Sequence, residues 1–162
     1  SDDLGKIYYA MCVSPVNLHL LNTKGYIEVT FRTNSPFAWT TPIADTINLS
    51  DNTSTRIIEL ENRSNVLKYY YPQLEIELVN NETNVSLRNL SDGGRVFSFE
   101  QLLPNEIVSV DNKNKLILSN NPLSNPFKKF NRNWFRLVKG INRIEITGQC
   151  IIRYRMQFPI AQ

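Results

Sequence analysis

Residues 143–158 read RIEITGQCIIRYRMQF. Up to Thr147, Ile144 and Ile146 alternate with Arg143 and Glu145. Beyond Gly148, Ile152, Tyr154, Met156 and Phe158 alternate with Arg153, Arg155 and Gln157. A strand turns successive side chains to opposite faces. A period of two, apolar against polar, therefore marks an antiparallel strand with one face buried and one solvated. The pattern recurs in residues 26–33, YIEVTFRT, where Ile27, Val29 and Phe31 oppose Glu28, Thr30 and Arg32. It recurs again in residues 73–79, QLEIELV, where Leu74, Ile76 and Leu78 oppose Glu75 and Glu77. Two packed antiparallel sheets are expected, with Ile76, Leu78, Ile144, Ile146, Ile152 and Tyr154 pointing inward.

Turn residues separate these runs: Asn80-Asn81, Asp92-Gly93-Gly94, Asp111 to Asn114, and Lys139 to Asn142. Short strands with regular turns argue for a sandwich or barrel. Only Phe99 to Leu103 has a briefly helical pattern, and Pro104 stops it. Composition agrees. The 162 residues hold 20 Asn but four Ala, which favours turns over helices, while Ile, Val, Thr, Tyr and Phe favour strands. A chain with 41% hydrophobic and 10% aromatic residues is not a disordered tail. No apolar run approaches the roughly 20 residues of a membrane-spanning helix, and no secretory leader pattern is visible. The chain opens at Ser1 and not at Met, which leaves open both a trimmed chain and a fragment of a longer protein.

Residues 1–33 read as two or three long strands. Residues 34–55, with Pro36, Pro42 and a polar stretch, resemble a linker, and a compact unit follows from Arg56. Residues 119–133 have no periodicity and contain Pro122 and Pro126, which suggests a functional or contact loop. Charge is uneven. Residues 113–162 hold ten basic residues and one acid, a net +9, whereas residues 1–112 carry a net −6. Such a chain suits a polyanion or head-to-tail stacking on its own copies.

Catalytic patterns are weak. The single imidazole, His19, sits on an alternating strand without a nucleophile elbow or a phosphate loop nearby. Glu75 and Glu77 share a strand face about 6.6 Å apart. That separation suits an inverting glycosidase, yet adjacent glutamates are the ordinary solvent side of a strand; the same holds for Glu59 and Glu61. Cys12 and Cys150 read as free thiols, and neither they nor His19 compose a zinc site or any other cofactor site. Trp39, Tyr69 to Tyr71, Trp134 and Phe135 are either core or a stacking platform for sugars or bases. Lys128, Lys129, Arg132, Arg136, Lys139 and Arg143 surround Phe127, Phe130 and Trp134, the ingredients of single-strand nucleic-acid binding, but no recognised signature accompanies them.

Two segments carry a resemblance. Residues 26–39, YIEVTFRTNSPFAW, and residues 134–156, WFRLVKGINRIEITGQCIIRYRM, resemble the distal tail (Dit) proteins of siphophages. Residues 134–156 are similar to that family's closing hairpin, through Trp134, Leu137, Gly140, Asn142, Ile144, Ile146, Gly148, Tyr154 and Arg155. The middle fits too, from Pro72 through the paired run Ile107 to Ile117. The resemblance implies an all-β chain: residues 1–42 as the last strands and linker of an N-terminal ring domain, and residues 43–162 as a galectin-like, jelly-roll type β-sandwich. It implies a non-enzymatic component of the virion tail tip, assembled in the bacterial cytoplasm. Its partners would be its own copies in a hexameric ring, the tail tube protein, a tail-associated lysin or receptor-binding protein, and a host cell-wall glycan. No cofactor, membrane or specific nucleic acid is implied. Lys128, Lys129, Arg132, Trp134 and Arg136 form the candidate interface. The alternative reading is a carbohydrate-binding module of a tail fibre or bacterial surface protein.

Overall fold

The computed structural model describes residues 5–13, 17–22 and 24–161. Two antiparallel sheets form the body. One has four strands: β7 (Arg56–Asn62), β10 (Val85–Asn89), β11 (Arg95–Phe99) and β15 (Gly140–Thr147), in the order β11-β10-β15-β7. The other has five: β6 (Ile43–Leu49), β9 (Gln73–Leu78), β12 (Ile107–Asp111), β13 (Leu116–Ser119) and β16 (Cys150–Met156), in the order β13-β12-β9-β16-β6. Their inner faces share one core. Leu87, Phe97, Ile144 and Ile146 of the first sheet meet Leu49, Ile76, Leu78, Val108 and Ile152 of the second, all at most 2% exposed. The expected sandwich is therefore present. Tyr154 differs from the rest of the inward set: it is half-buried at the core margin, with its hydroxyl 3.4 Å from Asp45 Oδ2.

Register follows alternation. Ile152 faces Ile76 and Ile47, and Ile144 faces Ile58 and Asn89. The chain crosses between sheets from β6 to β7, β9 to β10, β11 to β12 and β15 to β16. Residues 140–156 are thus an arch between sheets, not the hairpin that the resemblance implied. Gly148 makes the corner at φ +111°, where a Cβ would stand 2.5 Å from the Asn84 carbonyl oxygen. Only glycine fits there.

Three further expectations need correction. Residues 34–55 are not all linker, because β6 lies within them; Ile43, Ile47 and Leu49 turn toward the core while Ala44, Thr46 and Asn48 face out. Residues 99–103 are not helical. Phe99 ends β11 as a buried strand residue, and Gln101 sits at φ 58°. Helical turns among the described residues are the short 3-10 segments Leu90–Asp92 and Pro126–Lys129. Residues 139–142 are not all turn: Lys139 alone bends between β14 (Leu137–Val138) and β15, which already pairs with β7 from Gly140 onward. Gly140 takes φ 84°, and the buried Asn142 amide reaches back: its Oδ1 accepts from the Val138 amide at 2.8 Å, and its Nδ2 donates to the Val138 and Gly140 carbonyls.

Asparagine does more here than make turns. Asn89 Nδ2 donates to Asn142 Oδ1 at 2.9 Å and to the Arg136 carbonyl at 3.0 Å. Buried Asn112 ties Pro72 to Phe135, donating at 2.8 Å and accepting at 2.8 Å. These amides satisfy backbone groups that the sheets leave unpaired where segments cross, so burying them is not penalised.

The N-terminal region holds four short strands in place of two or three long ones. They are β1 (Ala10–Cys12), β2 (Asn17–Leu21), β3 (Lys24–Glu28) and β4 (Phe31–Thr33), paired β1 with β4 and β2 with β3. Two small pairings tie neighbouring segments to the body: β5 (Ala38–Trp39) with β17 (Pro159–Ile160), and β8 (Tyr69–Tyr70) with β14.

Candidate functional site

The irregular segment 119–133 is anchored by one buried carboxylate. Glu106, 2% exposed, accepts from Ser119 Oγ at 2.6 Å and from the Leu103 amide at 2.8 Å. Lys129 Nζ lies 3.9 Å away. Burial pushes the carboxyl up, but these donors and the lysine outweigh it and hold its pKa below the ordinary glutamate value. Nothing in the sequence singles out Glu106, since a lone glutamate between Asn105 and Ile107 reads as a surface residue.

The five basic and aromatic residues nominated from the sequence divide. Arg136 grips Asp92 through Nε at 2.7 Å and one terminal nitrogen at 3.1 Å, and its guanidinium stacks on Tyr69, 3.8 Å from the ring centroid. That hydrogen-bonded pairing raises its pKa further above its ordinary range. Trp134 packs edge-on against Phe130 at 4.9 Å, within a cluster that also joins Phe97, Phe99 and Phe135. Lys129 serves Glu106. Lys128 and Arg132 are exposed, with Arg132 5.8 Å over the Phe127 ring. Three basic residues of the C-terminal segment pair with acids of the preceding one. Arg153 bonds Glu75 and Glu77 at 2.8 Å each, and Arg136 and Lys129 take Asp92 and Glu106.

Glu75 and Glu77 are both tied to the Arg153 guanidinium on the outer face of the sheet. His19 is exposed on β2, stacked on Tyr26 at 4.6 Å and 3.9 Å from Glu28. No group of three metal-ligating side chains occurs among the described residues. Cys12 and Cys150 form no disulfide. Cys12 is exposed, and burial, with Glu82 adding to it, pushes the Cys150 thiol up to about 12.

Large apolar side chains of the N-terminal strands are exposed. Leu18, Leu20, Ile27 and Phe31 are 59–73% exposed, and Met11, Tyr26 and Val13 are exposed beside them in sequence. Residues 26–33 alternate as a buried strand does, but their apolar side chains lie open. Monomeric proteins rarely leave so many large apolar side chains uncovered in one segment.

The architecture is an all-β sandwich that leaves large apolar side chains open on its N-terminal strands. Residues 37–155 match the family described as the phage tail C-terminal domain, and the chain belongs to that family. It is a phage tail structural protein. It is similar to the SPbeta prophage-derived protein YomH of Bacillus subtilis (strain 168), 27% identical over 161 residues, covering 98% of this chain and 61% of the relative. Its fold is similar to that of SPP1 Dit, which is described as a paradigm of the hub adsorption apparatus in phages infecting Gram-positive bacteria. There the TM-score is 0.58 at 13% identity, over 98% of this chain and 62% of that one. The chain spans about three-fifths of the length of both.

Proposed function

We propose that this chain is a non-enzymatic part of the distal tail hub, joining the tail tube to tail-tip and receptor-binding components. The observation that carries this reading is the open apolar side of β2, β3 and β4. A structural tail protein buries such a face against neighbours, and heterologous contacts that close after a fixed number of copies make a ring. In this reading residues 1–42 belong to a ring domain and its linker, and residues 43–162 form the projecting sandwich. Copies assemble as a hexamer in the host cytoplasm before joining the virion. Lys128 and Arg132 supply the free charge of the docking surface, while Lys129, Trp134 and Arg136 hold its shape. A host wall glycan is a further partner.

The test is a variant with Leu18, Leu20, Ile27 and Phe31 replaced by Ser or Thr in the full-length protein. It should keep the strand-type circular dichroism spectrum and yield no tails. Normal, infectious tails from that variant would refute the reading. Lys128→Glu with Arg132→Glu should leave the ring intact and weaken docking of the next component, more so at low salt.

A further inference from the structure

A cleft of about 690 Å³ opens where the sandwich meets the N-terminal region. Trp39, Tyr69, Tyr70 and Tyr71 line it, with Lys113 and Arg155. The aromatic wall is fixed in advance. Trp39 exchanges backbone hydrogen bonds with Ile7 at 2.8 and 2.9 Å and meets the Tyr9 ring edge at 6.4 Å. The Tyr70 hydroxyl accepts from the Gln157 amide at 2.8 Å, and its ring lies 4.5 Å from Phe158. Tyr69 is held by Arg136, itself clamped on Asp92.

The polar groups of the cleft are unequally occupied. Asp111 already accepts from Gln73 and Asn114 on its two carboxylate oxygens. Lys113 and Arg155 have no ion-pair partner among the described residues. The indole Nε1 of Trp39 is buried without an acceptor. The free chemistry of the cleft is therefore aromatic, donor-rich and cationic.

We propose that this cleft binds a saccharide unit bearing an anionic group, a carboxylate or a phosphate. A sugar ring offers a C–H face to aromatic rings and its anionic group to Lys113 and the forked Arg155 guanidinium. A cavity of this size with aromatic walls and few polar groups suits a small ligand. The proposal deepens the wall-glycan part of the proposed function and rests on it, while the cleft is separate from the open side chains of β2 and β3, so it is independent of the assembly reading.

The test is calorimetric titration of the full chain with a uronic-acid disaccharide, a phosphorylated disaccharide, their uncharged counterpart and inorganic phosphate. The Trp39 indole N–H resonance is followed by NMR. At least one acidic disaccharide should bind and shift that resonance, and which one binds identifies the source of the charge. The uncharged sugar and phosphate alone should bind about tenfold more weakly or worse. Lys113→Ala with Arg155→Ala should lower affinity about tenfold without changing the melting temperature. The proposal fails if neither acidic sugar shifts Trp39, if phosphate alone binds as tightly, or if the double variant binds like the parent. None of these outcomes bears on tail assembly.

Discussion

Residues 26–33 and residues 143–147 carry the same alternation and meet opposite fates. In β15 the apolar face closes against the second sheet, and Ile144 and Ile146 are fully buried. In β3 and β4 the corresponding side chains Ile27 and Phe31 are 59% and 66% exposed. Period two fixes that a segment is a strand and which side is apolar. It does not say what covers that side. In the sandwich another part of the same chain covers it. At the N-terminal strands the described residues leave it open, and in the proposed reading neighbouring tail components cover it.

Substitutions can break or sharpen the contrast. Phe97→Ala should cost about 3–5 kcal/mol in urea unfolding, because it opens the centre of the aromatic cluster. Asn142→Ala should cost about 2–3 kcal/mol, since it strands the Val138 amide and carbonyl and the Asn89 amide. Phe31→Ala should change monomer stability by no more than about 0.5 kcal/mol. Equal costs at Phe97 and Phe31 would dissolve the distinction. Arg153→Ala, on the solvated face of the five-stranded sheet, should leave the unfolding midpoint where it is.

Acid should act on the sandwich through Glu106. Its folded pKa lies below the ordinary value, so the stabilisation it gives is fully present above the ordinary glutamate range. That stabilisation is lost as pH falls through the folded value. Glu106→Gln should remove this part of the pH dependence, and loop 119–133 should then exchange its amide hydrogens faster at neutral pH. Unchanged acid unfolding in the variant would reassign the effect to other carboxylates.

Much of the sandwich was legible. Alternation named Ile76, Leu78, Ile144, Ile146 and Ile152 as core, and paired turn residues placed the ends of β9 and β10. What escaped reading depended on contacts between distant segments. Whether Gly148 turns a hairpin or an arch is decided by which sheet each flanking strand joins, and local pattern does not carry that. The polar run around residues 43–49 hid an edge strand, because edge strands bury only part of one face. The basic cluster near residue 130 was visible as composition. Its partners, Asp92 and Glu106, lie 44 and 23 residues away from Arg136 and Lys129, so the sequence could not show that two of its charges are spent internally. Trp39 and Tyr69 to Tyr71 stood out as aromatic, but their convergence on one cleft is a product of the fold.

The most direct measurement is hydroxyl-radical footprinting of residues 17–33, made on the free chain and on assembled tails. Leu18, Leu20, Ile27 and Phe31 should be labelled in the free protein and protected in tails. Leu116 and Leu118, exposed on the sandwich edge, should serve as internal references in both samples. Equal labelling of the N-terminal strands in free protein and in tails would contradict the claim that their open apolar face is where this protein assembles.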